Sequence, residues 1–436
     1  MRRSVWRKRS RKTLATWVCV VCAWVALTWT APVRAEDWPT YRHDNRRSGV
    51  TSEDLVFPLK PHDVWVHKAS QIAQPVSLDE PAQQDFWNGH PNLVPKQTHD
   101  RAFHVAVVQD RAYVGSYAND KIYCLDITTG AVRWSFFTDG PVRMAPTVDS
   151  GRVYAGSDDG WVYCLGAMNG SLIWKYRASG KDERLFAHGR MASRWPVRTG
   201  VAIEGEIAYF CSGVFPEEGV YMCGVNAATG ADTGTGLWKR SVPFVAQGYV
   251  LATASQLFFP GARNCPEVYT RATGDHVGTF PGKGGTFALI VGNDLAYGPN
   301  LEGTVDEYPQ NAGTRIATFN GLQMVATATH SYLLQPSSIS AVQRPSGTAV
   351  WQKQVSYPHC LILAGQTLFA GGEDQVAAFR ASDGEMIWSA DVEGRAYGLA
   401  VANKRLFVST DRGAIYCFAD ATVVFSPARA SAWIYY

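Results

Sequence analysis

The side chains best equipped for chemistry in this sequence are arginines. Residues 184–198 read Arg184-Leu-Phe-Ala-His188-Gly-Arg190-Met-Ala-Ser-Arg194-Trp195-Pro-Val-Arg198, mixing guanidinium, imidazole and indole groups. A guanidinium presents a planar fork of N–H donors that fits a carboxylate or a phosphate. Arg101, Arg143, Arg198 and Arg395 each precede the next strand-to-strand turn by about six to eight residues. Similar spacing in a repeated unit puts such residues at equivalent places. Two readings are open. In one, Arg101, Arg143, Arg198 and Arg395, with Arg184, His188, Arg190, Arg194 and Trp195, form an anion-binding mouth. In the other, the arginines pair with nearby Asp and Glu or hold loop carbonyls.

Signals for catalysis are poor. The acidic pairs Asp158-Asp159 and Glu373-Asp374 fall in hairpin turns, where Asp is common for backbone reasons. His43, His90, His99, His104, His188 and His359 have no metal-ligand spacing. Gly282-Lys283-Gly284-Gly285 lacks the full phosphate-loop pattern, and no Gly-x-Ser-x-Gly elbow occurs. No catalytic residue and no metal site are assigned.

The elements that must hold these residues follow from composition and repetition. The chain has 436 residues, 46% hydrophobic and only 18% charged, which excludes a disordered or coiled-coil protein. The 40 Gly and 22 Pro, with 15 Trp, 19 Tyr and 19 Phe, suit many short strands joined by tight turns. Residues 1–35 read as a signal peptide. A basic stretch is followed by the apolar run Leu14–Trp29, and Val33-Arg34-Ala35 fits cleavage before Glu36. The run is short for a membrane span, and no second hydrophobic segment follows, so no transmembrane segment is expected after processing. Those 35 residues hold eight basic side chains and no acid. Without them 33 Lys and Arg face 38 Asp and Glu, a net charge of −5 where the full chain has +3. That sign argues against nucleic acid as a partner. Seven cysteines lie beyond the apolar run, an odd number without a C-x-x-C pair. Cys211 and Cys223 flank one hairpin, where they are candidates either for a disulfide or for small core residues.

A repeat runs through the chain. Ile122-Tyr-Cys-Leu-Asp-Ile-Thr-Thr-Gly130-Ala-Val-Arg-Trp134 matches Val162-Tyr-Cys-Leu-Gly-Ala-Met-Asn-Gly170-Ser-Leu-Ile-Trp174. The marker glycines are 130, 170, 230, 274, 313, 347 and 384, with Gly278 and Ala317 where two copies lack the Trp. The period matches the roughly 40–50 residues of a four-stranded propeller blade. The last hairpin, Leu406–Phe418, lacks its outer strand, and Asp63–His67 supplies one. The expected fold is therefore an all-β, eight-bladed β-propeller of four-stranded antiparallel blades, closed by an N-terminal strand. The organisation is residues 1–35 as signal peptide, 36–67 as lead-in and ring-closing strand, 68–420 as propeller and 421–436 as tail. The tryptophans would pack between neighbouring blades. Two long outer-to-inner connections, Lys68–Asp100 and Tyr176–Arg198, would rise on one face and carry function.

Leu125-Asp-Ile-Thr-Thr-Gly130, Arg152–Gly160 and Ala227-Ala-Thr-Gly230 resemble the PQQ-like β-propeller repeats, and Asp37–Thr51 looks like the lead-in common in such chains. The resemblance covers about residues 37–420 and implies two settings. One is the pyrroloquinoline-quinone (PQQ)-dependent alcohol dehydrogenases, eight-bladed periplasmic enzymes. The other is the BamB-type assembly lipoproteins and their soluble relatives, which carry no cofactor. The dehydrogenases have adjacent cysteines over the quinone, and no Cys-Cys occurs here. The lipoproteins have a lipidated Cys where Glu36 stands. The resulting expectation is an exported, periplasmic or envelope protein without catalysis. It would act as a scaffold that binds another exported or envelope protein, or an anionic ligand, on its long-loop face. No cofactor is expected. PQQ with calcium in the axial channel belongs only to the alternative, a quinoprotein oxidoreductase.

Overall fold

In the computed structural model, described over residues 35–68, 101–187, 190–261, 264–282, 284–285, 287–299 and 303–423, the chain is almost entirely β-structure. The signal-peptide segment, the connection 69–100, His188 and most of the tail fall outside these residues. Six separate four-stranded antiparallel sheets form blades 1–6, and one continuous sheet holds blades 7 and 8. The join is the 17-residue strand Met386–Ala402, whose first half is the outer strand of blade 7 and whose second half is the inner strand of blade 8. Within a blade the chain runs from inner to outer strand. Blade 1, for example, is Val105–Val108, Arg111–Ser116, Lys121–Asp126 and Val132–Phe137.

The N-terminal strand lies where the repeat requires it. Lys60–Lys68 pairs antiparallel with Ala414–Ala419, Val66 opposite Tyr416 and His67 opposite Ile415, as the outer strand of blade 8. The inner strands of blades 8 and 1 are neighbours. The fold is the eight-bladed propeller that the repeat implies.

Burial follows position in the blade. Inner strands such as Cys360–Ala364 are buried throughout, because neighbouring blades crowd them. Outer strands alternate, so that Trp134 and Trp174 are buried while their flanking residues are exposed. Each of these indoles ties two blades together. Trp134 donates Nε1–H to the carbonyl of Ala167, Trp174 to Ala227, Trp238 to Arg271 and Trp351 to Ala381, each at 3.0 Å. The ring lies against the marker glycine of the next blade. A Cβ on Gly170 would fall 2.6 Å from Trp134, and φ there is 69°. Only glycine meets both conditions without strain. In the degenerate copy the left-handed residue is Ala312, not Gly313, and blade 4 has no Trp to press on that turn. All seven cysteines beyond residue 35 are free, and Cys211 and Cys223 are core residues.

The lead-in is not a passive connection. Residues 36–53 touch all eight blades. Trp38 forms a two-way bridge with Val107 of blade 1, and Pro39 accepts from Val148 of blade 2 at 2.8 Å. Asn45 donates to Glu204 of blade 3, and its carbonyl accepts from Ala252 of blade 4. Arg46 accepts from Ile290 of blade 5, and Arg42 donates to Met324 of blade 6. Val50–Thr51 runs parallel to Leu363–Ala364 of blade 7, and Glu53 takes the Asn403 N–H of blade 8. Most of these partners lie toward the ends of inner strands or in the turns that follow them. The lead-in therefore enters from that end of the axis.

Candidate functional site

The two ends of the axis differ in chemistry. At the lead-in end, Arg47 is 1% exposed and directs all its donors to neutral oxygens. Nε and Nη2 reach the Val250 carbonyl, at 3.1 and 2.8 Å, while Nη1 reaches Thr40 Oγ1 at 2.8 Å and the Tyr41 and Asp44 carbonyls. Burial pulls its pKa down to about 10, so it stays protonated at neutral pH. Arg42 likewise donates to the carbonyls of Arg47, Leu361 and Met324. Tyr41 stacks on Tyr249 at 3.6 Å between ring centroids and meets His104 edge-on. Burial raises the Tyr41 pKa to about 12. Arg42 and Arg47 are deeply buried among the inner strands and Tyr41 is partly buried, and the lead-in fills axial space with the protein's own atoms. Sequence reading assigned no role to Arg42 or Arg47.

At the other end, where inner strands begin, three of the four arginines highlighted by their spacing, Arg143, Arg198 and Arg395, lie against carboxylates. Arg143 and Arg198 converge on Asp158, which is 1% exposed, with Nε–O distances of 2.6 and 3.2 Å. Burial alone would raise the Asp158 pKa, but Arg143 and then Arg198 outweigh it and hold it below the usual carboxylate range. Arg143 also lies over Tyr117, 4.2 Å from the ring centroid, and Arg190 meets the same ring at 5.4 Å. Arg190 is paired with Asp120 at 2.8 Å. Arg184 lies 3.4 Å from both Asp139 and Asp182. Arg194 grips Glu218 through two nitrogens and Glu183 through the third, and the adjacent Trp195 is buried with its Nε1–H on the Glu218 carbonyl. Arg395 lies 3.6 Å from Glu373 and 4.0 Å from Asp411. Arg101 stacks over Tyr397, 5.5 Å from its centroid. The structure thus brings Arg143, Arg190 and Arg198 together around Tyr117 and Asp158. Asp158 was read from sequence only as a turn residue. Its signal was the register of two arginines in consecutive blades.

The connection 176–198 folds into a hairpin. Arg184–Ala187 pairs with Arg190–Ser193, Phe186 opposite Met191. Its base is pinned by the ion pairs of Arg184 and Arg194, and its turn end by that of Arg190 with Asp120. Its middle is apolar and wet: Phe186 is 74% exposed and Met191 50%. Phe137 and Phe215 are also exposed, at 62% and 52%.

Eight four-stranded blades with indole latches define a β-propeller of the PQQ-like class. A family model described as outer membrane protein assembly factor BamB matches residues 74–257 and 335–431, and the chain belongs to this family. Among solved structures it resembles BamB from Moraxella catarrhalis, with 16% identity, a TM-score of 0.54, and coverage of 72% of this chain and 95% of that one. It also resembles the quinohemoprotein alcohol dehydrogenase from Comamonas testosteroni, at 13% identity and a TM-score of 0.61, covering 89% and 82%. A computationally designed protein, Ika8, matches at 11% identity and a TM-score of 0.58, covering 74% and 98%. At such identities these likenesses speak for the fold. No curated protein matches the sequence.

The dehydrogenase relatives raise the question of a quinone and its calcium on the axis. The described residues do not fit that group. Tyr41, Arg42 and Arg47 take up axial volume, and the buried Asp158 carboxylate is bound by two guanidinium groups. Among the described residues, no three His, Cys, Asp or Glu side chains converge as metal ligands. No helix among them is long and apolar enough to cross a membrane.

Proposed function

We propose that the protein is an exported, non-catalytic propeller that binds another envelope protein through the face carrying the 184–193 hairpin. The observation that carries this reading is the hairpin itself. Its ends are fixed by ion pairs to three different segments, while Phe186 and Met191 are held in water. Exposing large apolar side chains on a rigid support costs solvation and favours burial against a partner. A loop displayed on a rigid scaffold is a usual place for such contacts. Membership of a family described by outer-membrane protein assembly supports a protein of the cell envelope as the partner. The basic, then apolar, then small-residue start of the chain supports export.

The test is site-directed photo-crosslinking in the cell envelope, with the probe at Phe186 and, as a control, at exposed Met386 on an outer strand. A discrete adduct from position 186 that is absent from position 386 and weakened by Met191→Ser is expected. Identical crosslinking at both positions refutes the assignment of the face.

A further inference from the structure

Glu53 poses an electrostatic problem that no charged side chain among the described residues solves. Its side chain is 1% exposed. It accepts backbone N–H groups from Glu36 at 3.0 Å, from Asn403 at 3.1 Å and from Lys404. Asn403 and Lys404 both have positive φ, 53° and 58°, and this tight turn of blade 8 aims two N–H groups at one carboxylate. All three donors are neutral. Among the described residues no lysine, arginine or histidine side chain pairs with Glu53, and burial, with the nearby Glu36 carboxylate, raises its pKa. Buried carboxylates are ordinarily paired with a cation.

The third donor is the nitrogen of the bond where Val33-Arg34-Ala35 fits cleavage. Glu36 is held in place independently of that nitrogen. Its carboxylate accepts Ser52 N–H at 2.9 Å and the Thr51 hydroxyl, and its carbonyl accepts Asn403 N–H at 3.3 Å. The compact unit begins at Ala35.

We propose that hydrolysis of the Ala35–Glu36 bond turns the Glu36 nitrogen into an α-ammonium that forms an ion pair with buried Glu53, locking the lead-in to blade 8. Water adds across the amide: its oxygen completes a carboxylate on Ala35, and both of its protons end on the Glu36 nitrogen, which becomes an ammonium. An α-amine ordinarily titrates near 7.7–8.0, and adjacent carboxylates raise that value, so the group is cationic at neutral pH. The nitrogen need not move, because it already sits at hydrogen-bond distance. Removal of the leader then completes the seal that spans all eight blades. The inference rests on the export part of the proposed function and is separate from the hairpin face.

The experiment has two arms. The full chain, leader included, is expressed and purified from the envelope, and its intact mass is measured. A first residue of Glu36 is expected, and any other start overturns the proposal through its processing step. Second, thermal midpoints are compared for chains starting at Glu36 and at Val33, each with Glu53 and with Glu53→Gln. The Glu36 start should melt several degrees higher, and Glu53→Gln should abolish the difference. Equal midpoints, or a difference that survives Glu53→Gln, overturn the ion pair while leaving processing intact. Acylation of the α-amine in the unmutated protein gives a readout that needs no variant. A one-unit rise in amine pKa leaves about tenfold less free base, so the native amine should react at least tenfold more slowly than in urea. Equal rates overturn the pair.

Discussion

Arg42 and Arg47, at the lead-in end of the axis, donate only to neutral oxygens, whereas Arg143 and Arg198, at the hairpin end, share the carboxylate of Asp158. Both pairs are shielded from water, and the difference lies in what surrounds them. Where the lead-in crosses the inner strands, several peptide carbonyls lie without a strand partner. A guanidinium satisfies up to five acceptors from one plane and is weakly hydrated, so it acts there as a hub for backbone. Where the inner strands begin, a turn carboxylate projects inward and two arginines from consecutive blades neutralise it. Burial of charge is thus met at one end by many dipoles and at the other by a counter-ion.

The contrast is sharpest in the effect of Arg47→Met. That change keeps much of the volume but removes the guanidinium donors from Thr40 and three carbonyls, and a loss of about 3–5 kcal/mol is expected in urea unfolding. A loss below about 1 kcal/mol would mean that water replaces the guanidinium and that the end is not sealed. Asp158→Asn comes next, with about 2–3 kcal/mol lost at neutral pH, because two guanidinium groups then lack their counter-charge. The pH dependence carries a sign. The folded-state pKa of Asp158 is depressed, so its stabilisation is present above the ordinary aspartate value, roughly 3.9, and is lost as pH falls through the lower folded value. The unmutated protein should therefore lose its advantage over Asp158→Asn on acidification, and a constant gap would contradict the pairing. Arg143→Lys should cost about 1 kcal/mol, since an ammonium keeps the charge but not the stacking on Tyr117. Phe186→Ser and Met191→Ser should change stability by no more than about 0.5 kcal/mol while weakening the crosslink.

Much of the architecture was legible along the chain. The glycine and, in most copies, the tryptophan are local consequences of one packing unit, so the repeat exposed blade number, strand order and even the outer strand contributed by Lys60–Lys68. It failed only where the unit itself had decayed, as at Gly313, where Ala312 takes the left-handed turn. The candidate arginines were legible as a register, but not what they bind. Arg143 and Asp158 lie at the entry and in a mid-blade turn of blade 2, and Arg198 at the entry of blade 3, and no sequence interval says whether their side chains face a ligand or one another. The role of residues 36–53 was least visible. Their partners are scattered from Val107 to Lys404, and no local period records contacts made once per blade by a segment that does not repeat.

What the amino-acid order alone determined is the repeating unit: hairpins, positive-φ turns and, in the copies that keep it, an indole lent to the next blade, all set by interactions within some 40–50 residues. Only the assembled circle decided that a short non-repeating segment threads its axis, that two arginines meet one aspartate, and that the Glu36 nitrogen rests against Glu53. Those contacts depend on where many inner strands converge, a property of the closed array that no single stretch of sequence contains.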